Sequence, residues 1–278
     1  MKYLATLTSI LALGTVAANA ADVYVDDTPV IVEAPVEEPG RFYIEARFGY
    51  GPALADLDIE TEETAGTVAT GTVLGTVPVT IPATTGTIES DYLYGGVLEA
   101  GYFVTDIFRI GVEGGIGRLE NSYLDIDTPA AVTTTAPVPG GAVGTIEDAQ
   151  LDGGATIYQG FIKGAVEVPV LHDVGFAKKI SIFGTAGIGL MHIVTDVTER
   201  NSAANNGGRI DDSDTVLAGK VGLGVATQLT DRISLVTEAN YIFGEDAEFT
   251  LVTSSGNEVA TKFETEAITL QTGIRIRF

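Results

Sequence analysis

Apolar and polar residues alternate one by one along much of this chain, most sharply over its last eleven positions. There Ile268, Leu270, Thr272, Ile274, Ile276 and Phe278 share one side of an extended segment, and Thr269, Gln271, Gly273, Arg275 and Arg277 share the other. Successive side chains of a strand point to opposite faces, so this segment presents oil to one environment and charge to another. An apolar exterior with a polar interior is the dyad pattern of a strand that crosses a membrane as part of a barrel. The pattern recurs upstream. Phe42, Ile44, Ala46, Phe48 and Tyr50 oppose Tyr43, Glu45, Arg47 and Gly49. Further segments run from Asp91 to Phe103, from Phe108 to Gly117, over about 155–168 and 180–193, from Leu217 to Gln228 and from Ile233 to Phe243, making eight strands with the terminal one.

The connections alternate in length. Roughly 51–90, 119–154, 194–214 and 244–265 are long, 104–107 and 229–232 are tight turns, and 169–179 is intermediate. Short periplasmic turns and long external loops are the habit of bacterial outer-membrane barrels, which puts both termini in the periplasm. Ten residues at about 3.3 Å each, tilted near 40°, give roughly 25 Å of height, the apolar band of such barrels. This orientation sets Phe42, Tyr102, Phe108 and Phe278 at one edge of the band. Phe48, Tyr50, Tyr92, Tyr94, Tyr158, Tyr241 and Phe243 fall at the other, giving two aromatic girdles. The fold expected is all-β, a transmembrane antiparallel up-and-down β-barrel of eight strands with long extracellular loops. Residues 67–89 and 131–146, rich in Thr, Val and Gly, are read as hairpin extensions above the membrane. Drawing the first into the wall would give a ten-stranded barrel, and a soluble β-sandwich is the more distant alternative.

At the other end Lys2 precedes a mostly apolar stretch from Leu4 to Val16 and the small-x-small sequence Ala18-Asn19-Ala20. That is the layout of a cleaved export signal, and the apolar run is shorter than the ~18 residues of a spanning helix. Residues 1–20 are expected to be a signal peptide, 21–40 an acidic, proline-containing periplasmic leader, and 41–278 the barrel. The absence of Cys removes disulfides, thiolate metal sites and cysteine nucleophiles. Asp and Glu number 38 against 15 Lys and Arg, a formal charge of −23, so nucleic acid is not an expected partner.

The segments Arg41-Phe-Tyr-Ile-Glu-Ala-Arg-Phe-Gly-Tyr50, Phe108 to Gly117, Gly219 to Gly224 and Leu229 to Leu235, with the terminal Phe278, resemble the small outer-membrane β-barrel family. That family includes opacity-type surface antigens and porin-like outer-membrane proteins. The resemblance covers residues 41–278 apart from the loops. It implies residence in the bacterial outer membrane among lipid and lipopolysaccharide, and insertion by the barrel-assembly machinery. The last strand, with Leu270, Ile274, Ile276 and Phe278 on its apolar side, resembles the signal that this machinery recognises. No particular activity is implied, because the family contains adhesins, structural proteins and members of unknown role.

A barrel of eight strands is narrow enough for side chains to fill. Its inward faces carry Glu45, Arg47, Glu99, Arg109, Glu113, Lys163, Glu167, Lys220, Glu238, Arg275 and Arg277, six bases and five acids. Buried charges are tolerated when paired or hydrated, so the lumen is read as an ion-paired plug. In it Arg275 and Arg277 find acids, with Glu45 across the seam between the first and last strands. Asp56, Asp58, Glu60, Glu62, Glu63, Glu89, Asp125, Asp127, Glu147, Asp148, Asp152, Asp211, Asp212, Asp214, Glu245, Asp246 and Glu248 give the loops a negative rim. Weak Mg²⁺ or Ca²⁺ association there is a hypothesis, and a solvated acidic surface is the plainer reading. No cofactor is expected, and the ligand of the loops is not legible. His172 and His192 fall at opposite ends of the barrel and no Ser follows His192 at strand spacing, so no catalytic constellation is expected. The glycine clusters at 111–117 and 184–189 lie inside alternating strands with no helix after them, and are read as room for curvature rather than phosphate-binding loops. The expected role is a structural and surface barrel that supports envelope integrity and displays acidic loops, with adhesion as one form of that role. The alternative is a small porin passing ions or small solutes.

Overall fold

The computed structural model describes residues 40–52, 57–69, 76–127, 130–131, 133–134, 145–146, 149–200, 208–253 and 256–278. The expected signal peptide and all but the last residue of the leader lie outside these residues. Sixteen strand segments are present among them: β1 (Phe42–Pro52), β2 (Leu57–Thr61), β3 (Thr64–Ala69), β4 (Thr76–Ile81), β5 (Thr84–Phe103), β6 (Phe108–Ile126), β7 (Ala130–Ala131), β8 (Thr133–Thr134), β9 (Thr145–Ile146), β10 (Ala149–Val174), β11 (Ala177–Glu199), β12 (Arg209–Gln228), β13 (Ile233–Gly244), β14 (Ala247–Val252), β15 (Glu258–Phe263) and β16 (Glu266–Arg277). Eight were expected, and the expected segments fall within β1, β5, β6, β10, β11, β12, β13 and β16.

Every pairing is antiparallel. At the end of the molecule that carries the tight turns, the hydrogen-bonded order is β1-β16-β13-β12-β11-β10-β6-β5, and β5 pairs back to β1 from Phe42↔Tyr102 to Pro52↔Tyr92. At the opposite, loop end three of these staves are continued by other segments. There β2 pairs with β5 and β15, β15 with β14, and β14 with β12. Three of the eight additional segments arise because β2, β14 and β15 take up the places of β1, β13 and β16 beyond the ends of those strands. Segments β3 and β4 pair with each other, and β4 with β8, in a separate sheet, so the first long loop does not add two strands to the wall.

The tight turns are set by a shared sequence. In Thr105-Asp106-Ile107-Phe108 the Thr105 hydroxyl accepts from the Ile107 and Phe108 amides at 3.3 and 2.9 Å. In Thr230-Asp231-Arg232-Ile233 the Thr230 hydroxyl accepts from Arg232 and Ile233 at 3.3 and 3.0 Å. A side-chain oxygen that stands in for a backbone acceptor fixes such a turn. The connection at 169–179 is shorter than expected: β10 and β11 continue until Gly175-Phe176, where Asp173 and Gly175 take φ of 53° and 61°. Pro169 has no amide hydrogen to give the ladder, and the register shifts between Pro169 and Leu171 instead of ending.

Five strands outrun the lengths read from sequence, and β10 reaches 26 residues, about 85 Å at 3.3 Å per residue. The cause is an inversion of hydrophobic phase within single strands. Near the turns of β11, Ile182, Ile188 and Leu190 point out and are more than half exposed, while Ser181, Phe183 and Thr185 are buried. Past Leu190 the order reverses, so that Met191, Ile193 and Val197 are buried and Asp196 and Thr198 exposed. In β12 the switch comes at Val216 and Leu217. A membrane-type wall, apolar outside, thus passes into a wall of the soluble type, apolar inside. The buried loop-end residues, among them Ile88, Leu119, Leu151, Ile193, Val197, Ile210, Ile242, Phe249 and Phe263, form one apolar core.

Exposed aromatic residues lie at two levels. Phe42 stacks edge-on against Tyr102 at 4.9 Å, with Phe108 and Phe278 at the same end, while Tyr50, Tyr94, Tyr158, Tyr241 and Phe243 stand near the phase inversion. The side chain of Tyr92 lies outside the described set.

Gly273, opposite Arg47 on the β1–β16 seam, has no room for a Cβ, which would meet the Ala46 carbonyl and the Arg47 backbone, whereas a Cβ on Gly114 meets nothing within 4 Å. Gly273→Val is therefore expected to lower the urea midpoint of the refolded protein by an amount equivalent to ~1–3 kcal/mol, with Gly114→Val close to neutral. Equal midpoints for the two variants would contradict the close packing of this seam.

Candidate functional site

The lumen at the turn end is filled with charge. Glu45 and Arg47 come from β1, Glu99 from β5, Arg109 and Glu113 from β6, Lys163 and Glu167 from β10, Lys220 from β12, Glu238 from β13 and Arg275 from β16, and none is more than 7% exposed. Inward parity puts all of them inside, and strand register brings Glu45, Glu99 and Glu113 to one level. Glu45 lies directly opposite Glu99, and Glu99 opposite Glu113. Like charges so placed repel, and the bases are interleaved among them. Arg47 contacts Glu45 at 3.2 Å and Glu99 at 3.1 Å, and also reaches Glu113 and Glu238. Lys163 lies 2.7 Å from Glu99, 3.0 Å from Glu113 and 3.5 Å from Glu238, and Lys220 is 2.5 Å from Glu113. Arg109 pairs with Glu99 at 2.8 Å, and Arg275 bridges Glu45 at 2.5 Å and Glu167 at 2.6 Å. Five carboxylates face five bases.

Arg277 stands apart. Among the described residues it makes no ion pair, and its guanidinium lies 4.0 Å from the centre of the Phe103 ring. Glu167, an acid at that end of the lumen, is taken by Arg275, and an aromatic face offers the remaining cation a partner. Several neutral side chains join the cluster that were not picked out as site residues from the sequence. The Tyr43 hydroxyl donates to Glu99 at 2.5 Å and accepts from Arg109 at 3.0 Å, and the Thr185 hydroxyl donates to Glu238 at 2.7 Å. Arg109 and Arg275 lie over Phe183, and Lys220 over Phe161. For Tyr43 and Phe161 the available signal was their parity with the charged positions of β1 and β10, whereas Thr185 and Phe183 lie on β11, which brings no charge to the cluster.

Above this cluster, towards the loop end, lies a cavity of about 290 Å³, walled by the apolar core and by the interrupted edges of β1, β15 and β16. The charged and apolar zones therefore occupy different heights of the same lumen.

The loop acids divide between structural and solvated roles. Asp212 and Asp214 accept backbone amides of Thr250 and Glu248 at 3.0 and 2.9 Å, pinning β14 beside β12. Lys262 is 3.6 Å from Glu62 and 3.9 Å from Glu248, and Arg200 is 3.5 Å from Asp152, all at exposed positions. Glu60, Glu63, Asp125, Asp127, Asp211, Glu245 and Asp246 are described with Asp211 and the others exposed, while Asp56, Glu147 and Asp148 lie outside the described residues, as do the side chains of Asp58 and Glu89. No group of three or more His, Asp or Glu among the described residues could hold a metal ion. His192 contacts the Thr215 hydroxyl at 2.8 Å, beside Tyr158, and His172 is exposed near the Gly175 turn. Leu270, Ile274, Ile276 and Phe278 are exposed on the outer face of β16.

A family model described as the outer membrane protein β-barrel domain matches residues 8–275. No curated protein matches the chain. Among solved structures, the chain is similar to OprG from Pseudomonas aeruginosa at 14% identity, covering 87% of this chain and 97% of that one with a TM-score of 0.45. Neisserial surface protein A matches at 14% identity over 85% and 97% of the two chains, TM-score 0.37. Ail of Yersinia pestis matches at 12% over 86% and 99%, TM-score 0.31. Matching nearly its whole length, this chain belongs to the outer membrane protein β-barrel domain family, whose place is the bacterial outer membrane.

Proposed function

We propose that the chain is an eight-staved transmembrane barrel, shut by its own side chains, that acts as a structural and surface-display element of the outer membrane and not as an enzyme. The observation that carries this reading is the ten-charge cluster, whose members come from seven of the eight staves and touch one another across the lumen. An eight-stranded interior is just wide enough to be filled, and a filled, charge-neutral interior leaves no continuous water path. In this reading the turns face the periplasm and the strand extensions stand outside, where their acids border lipopolysaccharide. Adhesion through those extensions, weak divalent-cation association at their rim, and insertion by the barrel-assembly machinery through Leu270, Ile274, Ile276 and Phe278 belong to the same proposal. A small porin is the competing reading, and the plug opposes it.

Planar-bilayer recording separates the two. The refolded chain is expected to give no stable conductance, and the double variant Arg47→Gly, Lys163→Gly to give discrete openings. Steady conductance of the unaltered chain would sink the plugged-barrel reading in favour of the porin.

Stability gives an independent check. Arg47→Met removes the one base that reaches Glu45, Glu99, Glu113 and Glu238 together, so urea unfolding is expected to show a loss of about 3–5 kcal/mol, the cost of breaking a buried pair. Lys178 and Asp231 form an exposed pair at 3.0 Å, and Lys178→Met is expected to cost about 0–1 kcal/mol. Similar losses for both would mean that the lumen cluster is not holding the wall together.

A further inference from the structure

The cavity at the loop end differs from the charged zone in chemistry and in what bounds it. Leu93, Leu119, Ile157, Met191, Ile193 and Phe263 make its floor and sides. Its remaining wall runs along Ala267, Ile268, Thr269 and Leu270, residues of both faces of β16, and includes the outward-facing Tyr50, Tyr94 and Ile116. The space therefore passes from the interior to the apolar outer surface. The ladder accounts for this. Pairing between β1 and β16 ends at Gly49↔Gln271, while β13 follows β16 as far as Phe243↔Glu266. Among the described residues, the edge of β16 from Glu266 to Leu270 has a strand on one side only.

Two polar atoms break the apolar lining. Gln271 is 6% exposed and its Oε1 has no hydrogen-bond partner among the described residues, and the Thr269 hydroxyl is buried in the same condition. Buried polar atoms without partners are costly and call for an occupant that satisfies them. Both line the cavity beside the open edge, next to the carboxylates of Glu264 and Glu266. Those acids disfavour an anionic head group.

We propose that this chamber is a binding site for a neutral, single-chain amphiphile of medium length. Its hydrocarbon tail lies among Leu93, Leu119, Met191 and Ile193, and its hydroxyl lies at Gln271 and Thr269. The size agrees: 290 Å³ is close to the lower end of small-molecule pockets, roughly 300 Å³, and about twice the 150 Å³ cavity that holds benzene. The ligand enters along the β16 edge from the hydrocarbon that surrounds the barrel, so binding is independent of whether the lumen conducts. The site goes beyond the structural role proposed above and rests on it only for the membrane setting.

The chain contains no tryptophan, so Phe263→Trp places a single fluorophore in the chamber wall. Phe48→Trp, at a position 59% exposed on the outer face, provides a lipid-side control. The full chain, refolded into phosphatidylcholine bilayers, is titrated with ω-bromoundecanol, whose bromine quenches a nearby indole. Phe263→Trp is expected to be quenched saturably, and Phe48→Trp in simple proportion to the probe in the bilayer. Filling the chamber with Ala155→Phe, or with Gly117→Val, where a Cβ meets nothing nearer than 3.6 Å, should weaken the saturable phase roughly tenfold and leave the control unchanged. Bromoundecane, lacking the hydroxyl, should bind more weakly, and Gln271→Leu should erase that difference. Heat-dependent gel mobility verifies that each variant is folded, and the two filling variants guard against the failure of either. Absence of saturable quenching at Phe263→Trp while Phe48→Trp responds would overturn the proposal, as would quenching indifferent to both filling variants. Full quenching of Phe263→Trp by brominated phosphatidylcholine alone would overturn it too, by giving the chamber to the bilayer's own lipid.

Discussion

Mutual neutralisation of ten buried charges is the interaction on which the rest of the wall depends. Their positions follow from strand parity, and parity alone would be ruinous, since it places Glu45, Glu99 and Glu113 on directly paired residues of three neighbouring strands. An isolated buried carboxylate carries a desolvation penalty of several kcal/mol. Arg47, reaching all three and Glu238 as well, converts that row of repulsions into one bonded unit. Lys163 and Lys220 close the far side of the lumen and Arg109 and Arg275 the turn end. A hydrophobic filling would resist hydration more cheaply, but charges fix which residue lies beside which. A one-residue slip of any contributing strand would turn its charge outward to hydrocarbon.

The same parity serves a second environment further along the strands. Near the turns the outer face is oil and the inner face is charge, and past the aromatic residues around Tyr158 and Tyr241 the inner face is oil and the outer face polar. The two regimes meet in pairs of adjacent apolar residues such as Leu190-Met191 and Val216-Leu217, where one side chain serves each side of the wall. Long staves such as β10 and β11 pass through this boundary unbroken. By contrast β1, β13 and β16 stop there, and the ladder resumes with β2, β14 and β15. The chamber lies at that boundary, above the charged cluster and beside the places where β1, β13 and β16 give way to β2, β14 and β15.

Much of the turn-end architecture was legible because each local signal there has a single physical meaning. Charged residues at even spacing among apolar ones point inward, and Thr105-Asp106 and Thr230-Asp231 make turns by side-chain capping. The loop end was not legible, for an equally physical reason. An alternation whose phase reverses looks, when scanned for oil on a fixed face, like the end of a strand. Asp196, Asp211 and Ser213 read as loop residues, although they are the solvent face of β11 and β12. The segments β2, β14 and β15 are short, and their places are decided by pairings between residues far apart in sequence, such as Phe263 with Ile59. Parity alone groups Arg277 with the ion-paired residues. Which acid a base meets depends on how many bases compete for it, and Arg275 already holds Glu167.

The seam between the first and last strands shows how side chains compensate for a limited ladder. Strands β10 and β11 are joined from Leu151↔Glu199 to Val174↔Ala177, but β1 and β16 only from Tyr43↔Arg277 to Gly49↔Gln271. Among the eight staves this is the shortest ladder. It is also where Arg275 of β16 meets Glu45 of β1 at 2.5 Å, directly across the pair, with Arg47 one inward position along. The buried clamp sits at the paired part of the seam, and Gln271 and Thr269, whose Oε1 and hydroxyl have no hydrogen-bond partner among the described residues, begin where it ends. Strength and opening are thus separated by a few residues along one strand. The turn-end half of β16 binds the barrel shut, and the loop-end half is free of β1 and borders a space that hydrocarbon can enter.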